Sequence, residues 1–275
     1  MQPNFFIVGA PKAGTTSLYH YLDQHPQVYM SPIKEPNYFA SEVRAENFDA
    51  EHQERIARDL EEQRRYLEGP MSEKRFGALG LEWDDYLKLF RNARDEKAIG
   101  EASVCYLWSE SAAANIFQKI PDARILMILR DPAERAFSQY MQWVTKGVIR
   151  HSFREQVDQS LRNSGGKFEL MHPFLEMGLY HEQVKRYLDL FPLENVRILF
   201  YDDYRDDAPG VIADVLRFLG VDAEFAPDMS RRHLAGREPG STMDARDRAY
   251  LASYYREDVQ RLAALLDRDL SRWLP

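Results

Sequence analysis

With 275 residues of which 44% are hydrophobic, the chain has material for one large domain or two small ones around a sizeable core. Its formal net charge of −8 argues against broad binding to nucleic acid or an anionic membrane surface, while leaving room for a local basic pocket. The single cysteine, Cys105, excludes an internal disulfide; with no basic leader and no apolar run of bilayer length, a cytoplasmic protein without integral membrane association is expected.

The first element is the most informative. Phe5-Phe6-Ile7-Val8 is an apolar run of buried-strand length. It leads into Gly9-Ala10-Pro11-Lys12-Ala13-Gly14, a loop of small residues with one lysine, and then into the hydroxyls Thr15, Thr16 and Ser17 that open a helical pattern. A helix N-terminus presents unpaired N–H groups and partial positive charge, and glycine lets an anion approach the backbone closely, so this turn suits a phosphate. In the Walker A pattern the lysine follows the second glycine and the next hydroxyl holds magnesium. Gly9 and Gly14 keep that spacing, but Thr15 stands at the lysine position and Lys12 lies inside the loop, which disfavours a nucleoside triphosphatase.

A helix over 16–24 stops at His25-Pro26, and Val28-Tyr29-Met30 reads as a short strand. In 31–39 two prolines bracket Lys34-Glu35 before Tyr38-Phe39. Proline removes backbone donors and extends its predecessor, so a stiff loop is expected. Glu35 on such a loop is either a base aimed into a cleft or half of a solvated pair with Lys34. A heavily charged surface helix over 50–68 and a short helix over 83–90 follow, and 41–95 as a whole is a possible helical cover over an acceptor site.

Residues 97–103 read as a strand ending in polar groups, with a crossover helix over 109–119. The strongest strand is 123–129, nearly continuous in apolar residues as a parallel strand buried on both faces should be. It ends on Arg130-Asp131-Pro132, where open α/β sheets bind ligands. The next helix, 133–146, carries Arg135, Ser138 and Tyr140. Ser152 and Glu155 form a capping box for a helix through Leu161. A helix over 180–190, a strand over 196–201 and a helix from Asp207-Pro209 to Leu219 complete the alternation. Strands and helices alternate throughout, which predicts a single α/β domain, 1–275, with a central parallel sheet flanked by helices. The segment 228–243 is too long and polar for a tight connection and carries Arg231, Arg232, His233 and Arg237; a capped amphipathic helix then runs to Leu266.

Together these pieces resemble the sulfotransferases that use 3′-phosphoadenosine 5′-phosphosulfate (PAPS), nearly end to end and closest to bacterial members related to the heparan sulfate enzymes. The Pro11-to-Ser17 loop is similar to the family's 5′-phosphosulfate loop. Arg130-Asp131-Pro132 with Arg135-x-x-Ser138-x-Tyr140 resembles its 3′-phosphate motif, and Lys34-Glu35-Pro36-x-x-Phe39 the segment supplying a catalytic glutamate. Gly178-x-Tyr180-x-x-Gln183 and the Gly236-Arg237 loop fit that branch too.

The resemblance implies a P-loop-like fold with PAPS as co-substrate, 3′-phosphoadenosine 5′-phosphate (PAP) as product and no required metal. Ala13 to Thr16 would hold the 5′-phosphate through backbone N–H groups, with Thr15, Thr16 and Ser17 adding hydroxyls. Arg130, Ser138 and Arg237, from the 228–243 nucleotide-proximal loop, would hold the 3′-phosphate, with Gly236 and Tyr180 near the nucleotide. Lys12 would neutralise charge as the sulfuryl group leaves, and Glu35 would take the acceptor's proton. No histidine stands in 101–106, where the cytosolic branch places its base, so Glu101 is the alternative. Ala102 departs from the heparan sulfate branch, where a lysine often stands; with the acidic balance this favours a small or lipid-like alcohol over a long polyanion, among small-molecule, lipid or carbohydrate acceptors. His20, His25, His151, His172, His181 and His233 show no metal-ligand spacing. A small-molecule kinase on the same strand-loop-helix, or a non-catalytic nucleotide-binding protein, stays open as the other reading.

Overall fold

The apolar runs pair with one another at the centre of the molecule. The computed structural model describes residues 1–44, 50–162, 173–230 and 242–274, with backbone alone for 50–57. In chain order its elements are β1 (Phe5–Gly9), α1 (Thr15–Leu22), β2 (Val28–Met30), β3 (Ile33–Lys34), α2 (Ala50–Glu68), β4 (Arg75–Phe76), α3 (Trp83–Lys88) and β5 (Ala98–Ala102). There follow α4 (Ala112–Lys119), β6 (Arg124–Leu129), α5 (Pro132–Thr145), α6 (Phe153–Arg162), α7 (Tyr180–Leu190), β7 (Val196–Phe200), α8 (Tyr201–Asp206), α9 (Ala208–Leu219) and α10 (Ala245–Leu266).

Five of these strands form a parallel sheet in the order β2-β5-β1-β6-β7. Every residue of β1 and β5, and β6 after its first residue, is buried. That is why the strands read as unbroken apolar runs: helices cover both faces, so no face is left for polar side chains. Because β1 lies between β5 and β6, the carboxyl ends of these three strands open side by side, and the chain crosses from one side of β1 to the other between β5 and β6. Ligands of open α/β sheets settle outside such a reversal.

The helix starts follow from local chemistry. Asp131 caps α5, its carboxylate accepting from the N–H groups of Ala133 (2.9 Å) and Glu134 (3.2 Å), and Pro132 occupies the first turn, where no N–H is needed. The Ser152–Glu155 capping box forms in both directions: Ser152 N–H donates to Glu155 Oε2 at 2.7 Å and Glu155 N–H to Ser152 Oγ at 3.3 Å. Asp207 and Asp244 cap α9 and α10. α2 and α3 fall where the charge pattern places them.

Two elements depart from the sequence reading. Part of the expected stiff loop 31–39 is a two-residue strand, β3, which pairs in parallel with β4. Two residues leave no periodicity to read, and the β4 partners, Arg75 and Phe76, show no alternation either. α8 was expected to be strand end and connection; its sequence, Tyr-Asp-Asp-Tyr-Arg-Asp, is too short and polar to show a helical stripe.

In the register of β1 against β5, Phe5 stands opposite Gly100. A Cβ on Gly100 would lie 2.3 Å from Phe5 Cζ, and the Phe5 ring is itself fully enclosed. Gly100→Ala therefore forces the ring off its packing, and urea denaturation should show a loss of about 1–3 kcal/mol, the usual cost of overpacking a core.

Candidate functional site

The three adjacent strand ends carry three charged groups. β1 runs into the loop 10–14 and then α1. Gly14, at the N-cap of α1, has φ 96°, and a Cβ there would sit 2.9 Å from the Tyr204 ring, so both backbone and space call for glycine. No side chain caps this helix start, which leaves its first N–H groups open to a ligand. Ala13, Gly14 and Thr15 are buried at the turn, with Thr16 and Ser17 half-buried beside them.

Lys12 sits on left-handed backbone at φ 64°, a conformation that costs an L-residue roughly 1 kcal/mol or more and that its surroundings must hold. Its ammonium is pulled down to about 8 from the ordinary lysine range. Burial is the main cause; Arg130, Lys146 and Arg135 add repulsion, and Glu35 pulls weakly the other way. Four cations thus converge in a protein of net charge −8.

Arg130 leaves the end of β6 and donates from Nη1 to the carbonyl oxygen of Lys12 at 2.7 Å. Its guanidinium lies over the Tyr201 ring, 4.4 Å from the centroid, and pairs with Glu134 at 3.7 Å. The next residue, Asp131, is gripped by both Nη atoms of Arg248 on α10, at 3.2 and 2.6 Å. Burial outweighs that guanidinium and lifts the Asp131 carboxyl to about 6.

Ser138 is buried on α5, but its two motif companions turn elsewhere. Arg135 is wholly buried and donates to Gln139 Oε1 and to the carbonyl oxygen of Phe174, and the Tyr140 hydroxyl donates to the carbonyl of His151. Both brace α5, and Arg135 reaches the site as field alone. Tyr180 is fully enclosed and packs edge-on to Trp273, a core position. Gly236 and Arg237, with His233, lie outside the described residues; the start of their loop is tied to the end of α1, Asp228 N–H donating to Gln24 Oε1 at 2.7 Å.

Glu35, the residue after β3, is fastened to the third strand end, that of β5. Its N–H donates to the carbonyl of Ala102, the last residue of β5, at 2.8 Å, and its own carbonyl accepts from Ala78 N–H at 2.9 Å. It too is left-handed, at φ 64°. The pair with Lys34 is not a solvated one: Lys34 Nζ lies 2.7 Å from Glu35 Oε1 with both side chains nearly enclosed. Glu101, the alternative base, has no exposed surface; it accepts from the hydroxyls of Tyr106 (2.7 Å), Ser103 (2.8 Å) and Tyr86 (3.3 Å), while burial pushes its carboxyl up to about 7.

Sequence reasoning missed Lys146, Tyr201, Tyr204 and Arg248. Lys146 was legible as the last charge of the α5 pattern. The two tyrosines were not, because α8 itself was invisible. Among the described residues no cluster of three His, Cys, Asp or Glu side chains forms a metal group, and no helix is long and apolar enough to cross a membrane.

Since Arg130 is the largest charge acting against Lys12, Arg130→Ala should raise the Lys12 pKa from about 8 toward the ordinary lysine value. An NMR titration of the lysine side chains reads the shift directly.

Residues 3–225 match the sulfotransferase family. The chain is 36% identical to a sulfotransferase from Alicyclobacillus acidocaldarius, each chain covered completely, and the two structures superpose with a TM-score of 0.83. The sulfotransferase domain of the Synechococcus PCC 7002 olefin synthase shares the fold, with a TM-score of 0.56 at 19% identity over 98% of this chain and 96% of that domain. The membrane-associated sulfotransferase kil1 of Dictyostelium discoideum is 23% identical over 98% of this chain and 66% of its own length. The bifunctional heparan sulfate N-deacetylase/N-sulfotransferase 4 of Mus musculus is 26% identical over 99% of this chain and 31% of its own. The chain therefore spans just under two thirds of the one relative and under a third of the other. Family match, full-length structural likeness and the anion-seeking strand ends agree: the chain belongs to the sulfotransferase family.

Proposed function

We propose that the protein moves the sulfuryl group of PAPS onto a hydroxyl or amine of a small-molecule or carbohydrate acceptor, with Glu35 as general base and PAP as product. The observation that carries this reading is the meeting of Lys12, Arg130 and Glu35 at neighbouring strand ends. A desolvated ammonium among three other cations is unfavourable alone and becomes favourable beside an anion, so the site is poised for a ligand with negative charge.

The residues present suit that co-substrate. The open N-terminus of α1, from Gly14 to Ser17, fits a phosphate at the 5′ side, while the Ala13 N–H donates to the carbonyl of Ala10 at 3.3 Å and would have to turn to join them. Arg130 and Ser138, with Arg237 of the segment 228–243, would hold the 3′-phosphate. When bound, PAPS supplies a sulfuryl group on a phosphate leaving group. Lys12 neutralises the negative charge that grows on that phosphate oxygen, an electrostatic contribution largest where water is excluded. Glu35 accepts the proton from the acceptor while the new bond to sulfur forms. Lys34 Nζ, 2.7 Å from Oε1, holds its carboxylate in place, and Glu35 is one of the charges that act on Lys12. Tyr38 of the loop that carries Glu35 stacks on Tyr86 of α3, ring centroids 4.7 Å apart, and the segment 41–95 is where acceptor selection would lie. Carbohydrate sulfotransferase 15 of Homo sapiens, a relative 24% identical over 80% of this chain, adds support for a carbohydrate acceptor.

Calorimetric titration should show PAP binding without added metal and tighter than ATP with magnesium; binding of ATP-magnesium alone would overturn the reading. Glu35→Gln should lower turnover by about two to four orders of magnitude while PAP affinity stays within about twofold of wild type, as expected for loss of a general base.

Lys12 gives a pH signature. Binding an anion favours the charged ammonium, so the complex takes up a proton wherever free Lys12 is neutral. Affinity is then highest below pH 8 and falls as pH rises through that value, by about tenfold per unit for one proton, until the raised pKa of the complex is reached. Titrations of PAP between pH 7 and 10 should show this fall in wild type and none in Lys12→Ala.

A further inference from the structure

We propose that Glu101 is a positioning residue for Glu35, holding the loop that carries it through two hydroxyl relays, one by way of Ser103 and one by way of Tyr106. The inference rests on the reading of Glu35 as base.

The hydrogen bonds run in one direction. The Ser103 and Tyr106 hydroxyls both donate to Glu101, at 2.8 and 2.7 Å, an arrangement that holds where its carboxyl, lifted by burial to about 7, is ionised and can only accept. Each then turns a lone pair outward. Ser103 Oγ accepts the N–H of Asn37 at 3.1 Å, and the Tyr106 hydroxyl accepts the N–H of Phe39 at 3.3 Å. Both recipients belong to the segment immediately after Glu35. Its conformation needs such support, because Glu35 and Asn37 both lie at left-handed φ, 64° and 56°, in a segment with proline at position 36. Pro36 has no N–H to give, so the N–H groups of Asn37 and Phe39 are among the few handles by which the sheet can grip the turn.

The rest of the turn is gripped by the same strand end. Glu35 N–H bonds to Ala102 O at 2.8 Å, between Glu101 and Ser103, and Cys105 Sγ donates to Asn37 Oδ1 at 3.0 Å. Residues 101–106 thus form a buried frame whose one charge is Glu101. Tyr86, the third donor to Glu101, comes from α3 and makes no relay to the turn. That asymmetry separates positioning from simple burial.

Ser103→Ala and Tyr106→Phe each cut one relay with little change in packing. Each should lower kcat at least tenfold with PAP affinity and the KM for the donor within twofold. In the same proteins, native-state hydrogen exchange at the Asn37 or Phe39 amide should quicken at least tenfold. Tyr86→Phe, which removes a donor to Glu101 but no relay, should leave both exchange rates within about threefold of wild type. The inference is overturned if the relay variants lose thermal stability while kcat and those two amides stay as in wild type, or if Tyr86→Phe has the same effect as they do. Should wild type transfer sulfuryl to no acceptor, the reading of Glu35 fails, while the exchange rates still decide whether Glu101 holds the turn.

Discussion

The hydrogen bond from Arg130 to the carbonyl of Lys12 joins two strands at the point where their side chains matter. Parallel pairing brings β1 and β6 side by side but says nothing about the loops beyond them. This bond adds that step, fixing the left-handed Lys12 and setting a guanidinium beside its ammonium. The charge that organises the loop also depresses the lysine, so geometry and electrostatics come from one contact. Such an arrangement is unfavourable in isolation, and it persists because the surroundings leave no alternative: Tyr201 lies under the guanidinium, Tyr204 fills the space at Gly14, and Arg248 secures Asp131 one residue further on.

Much of this was legible from residue types alone. Strands buried on both faces must be apolar throughout, so β1 and β6 announced themselves, and helix starts were marked by Ser152 and Asp207 because caps are local chemistry. The displaced lysine of the first loop could be read for the same reason. What stayed hidden depends on distance in the chain. Nothing near Glu101 says that its carboxylate faces three hydroxyls, and nothing near Arg135 says that it will turn inward to Gln139 and Phe174. The segment Tyr201–Asp206 looks like solvated connection, and its two tyrosines acquire meaning only against a loop near position 14. The sequence alone could not decide whether Lys34 and Glu35 form a solvated pair, because their strand partner is β4, whose two residues carry no pattern of their own.

The two carboxylates near β5 illustrate how environment divides labour between like groups. Glu35 keeps one cationic neighbour at 2.7 Å and a small exposed edge. Glu101, at the fourth position of β5, is sealed among hydroxyls. Both are acids on one short stretch of structure, yet one is paired with an ammonium and the other is held by hydroxyls alone. The acidic surface of the molecule and its cationic strand ends show the same division on a larger scale, since net charge governs approach and a local field governs capture.

The clamp of Arg248 on Asp131 spans 117 positions of sequence. Arg248 also donates to the carbonyl of Trp273. During synthesis, therefore, β1 and β6 have left the ribosome long before the arginine that secures their ligand-facing ends exists. Until then the guanidinium that partly offsets the burial of Asp131 does not exist. The ligand-facing end of β6 is thus completed by a contact of high sequence separation, a kind whose loop-closure entropy is lost before the contact can stabilise anything.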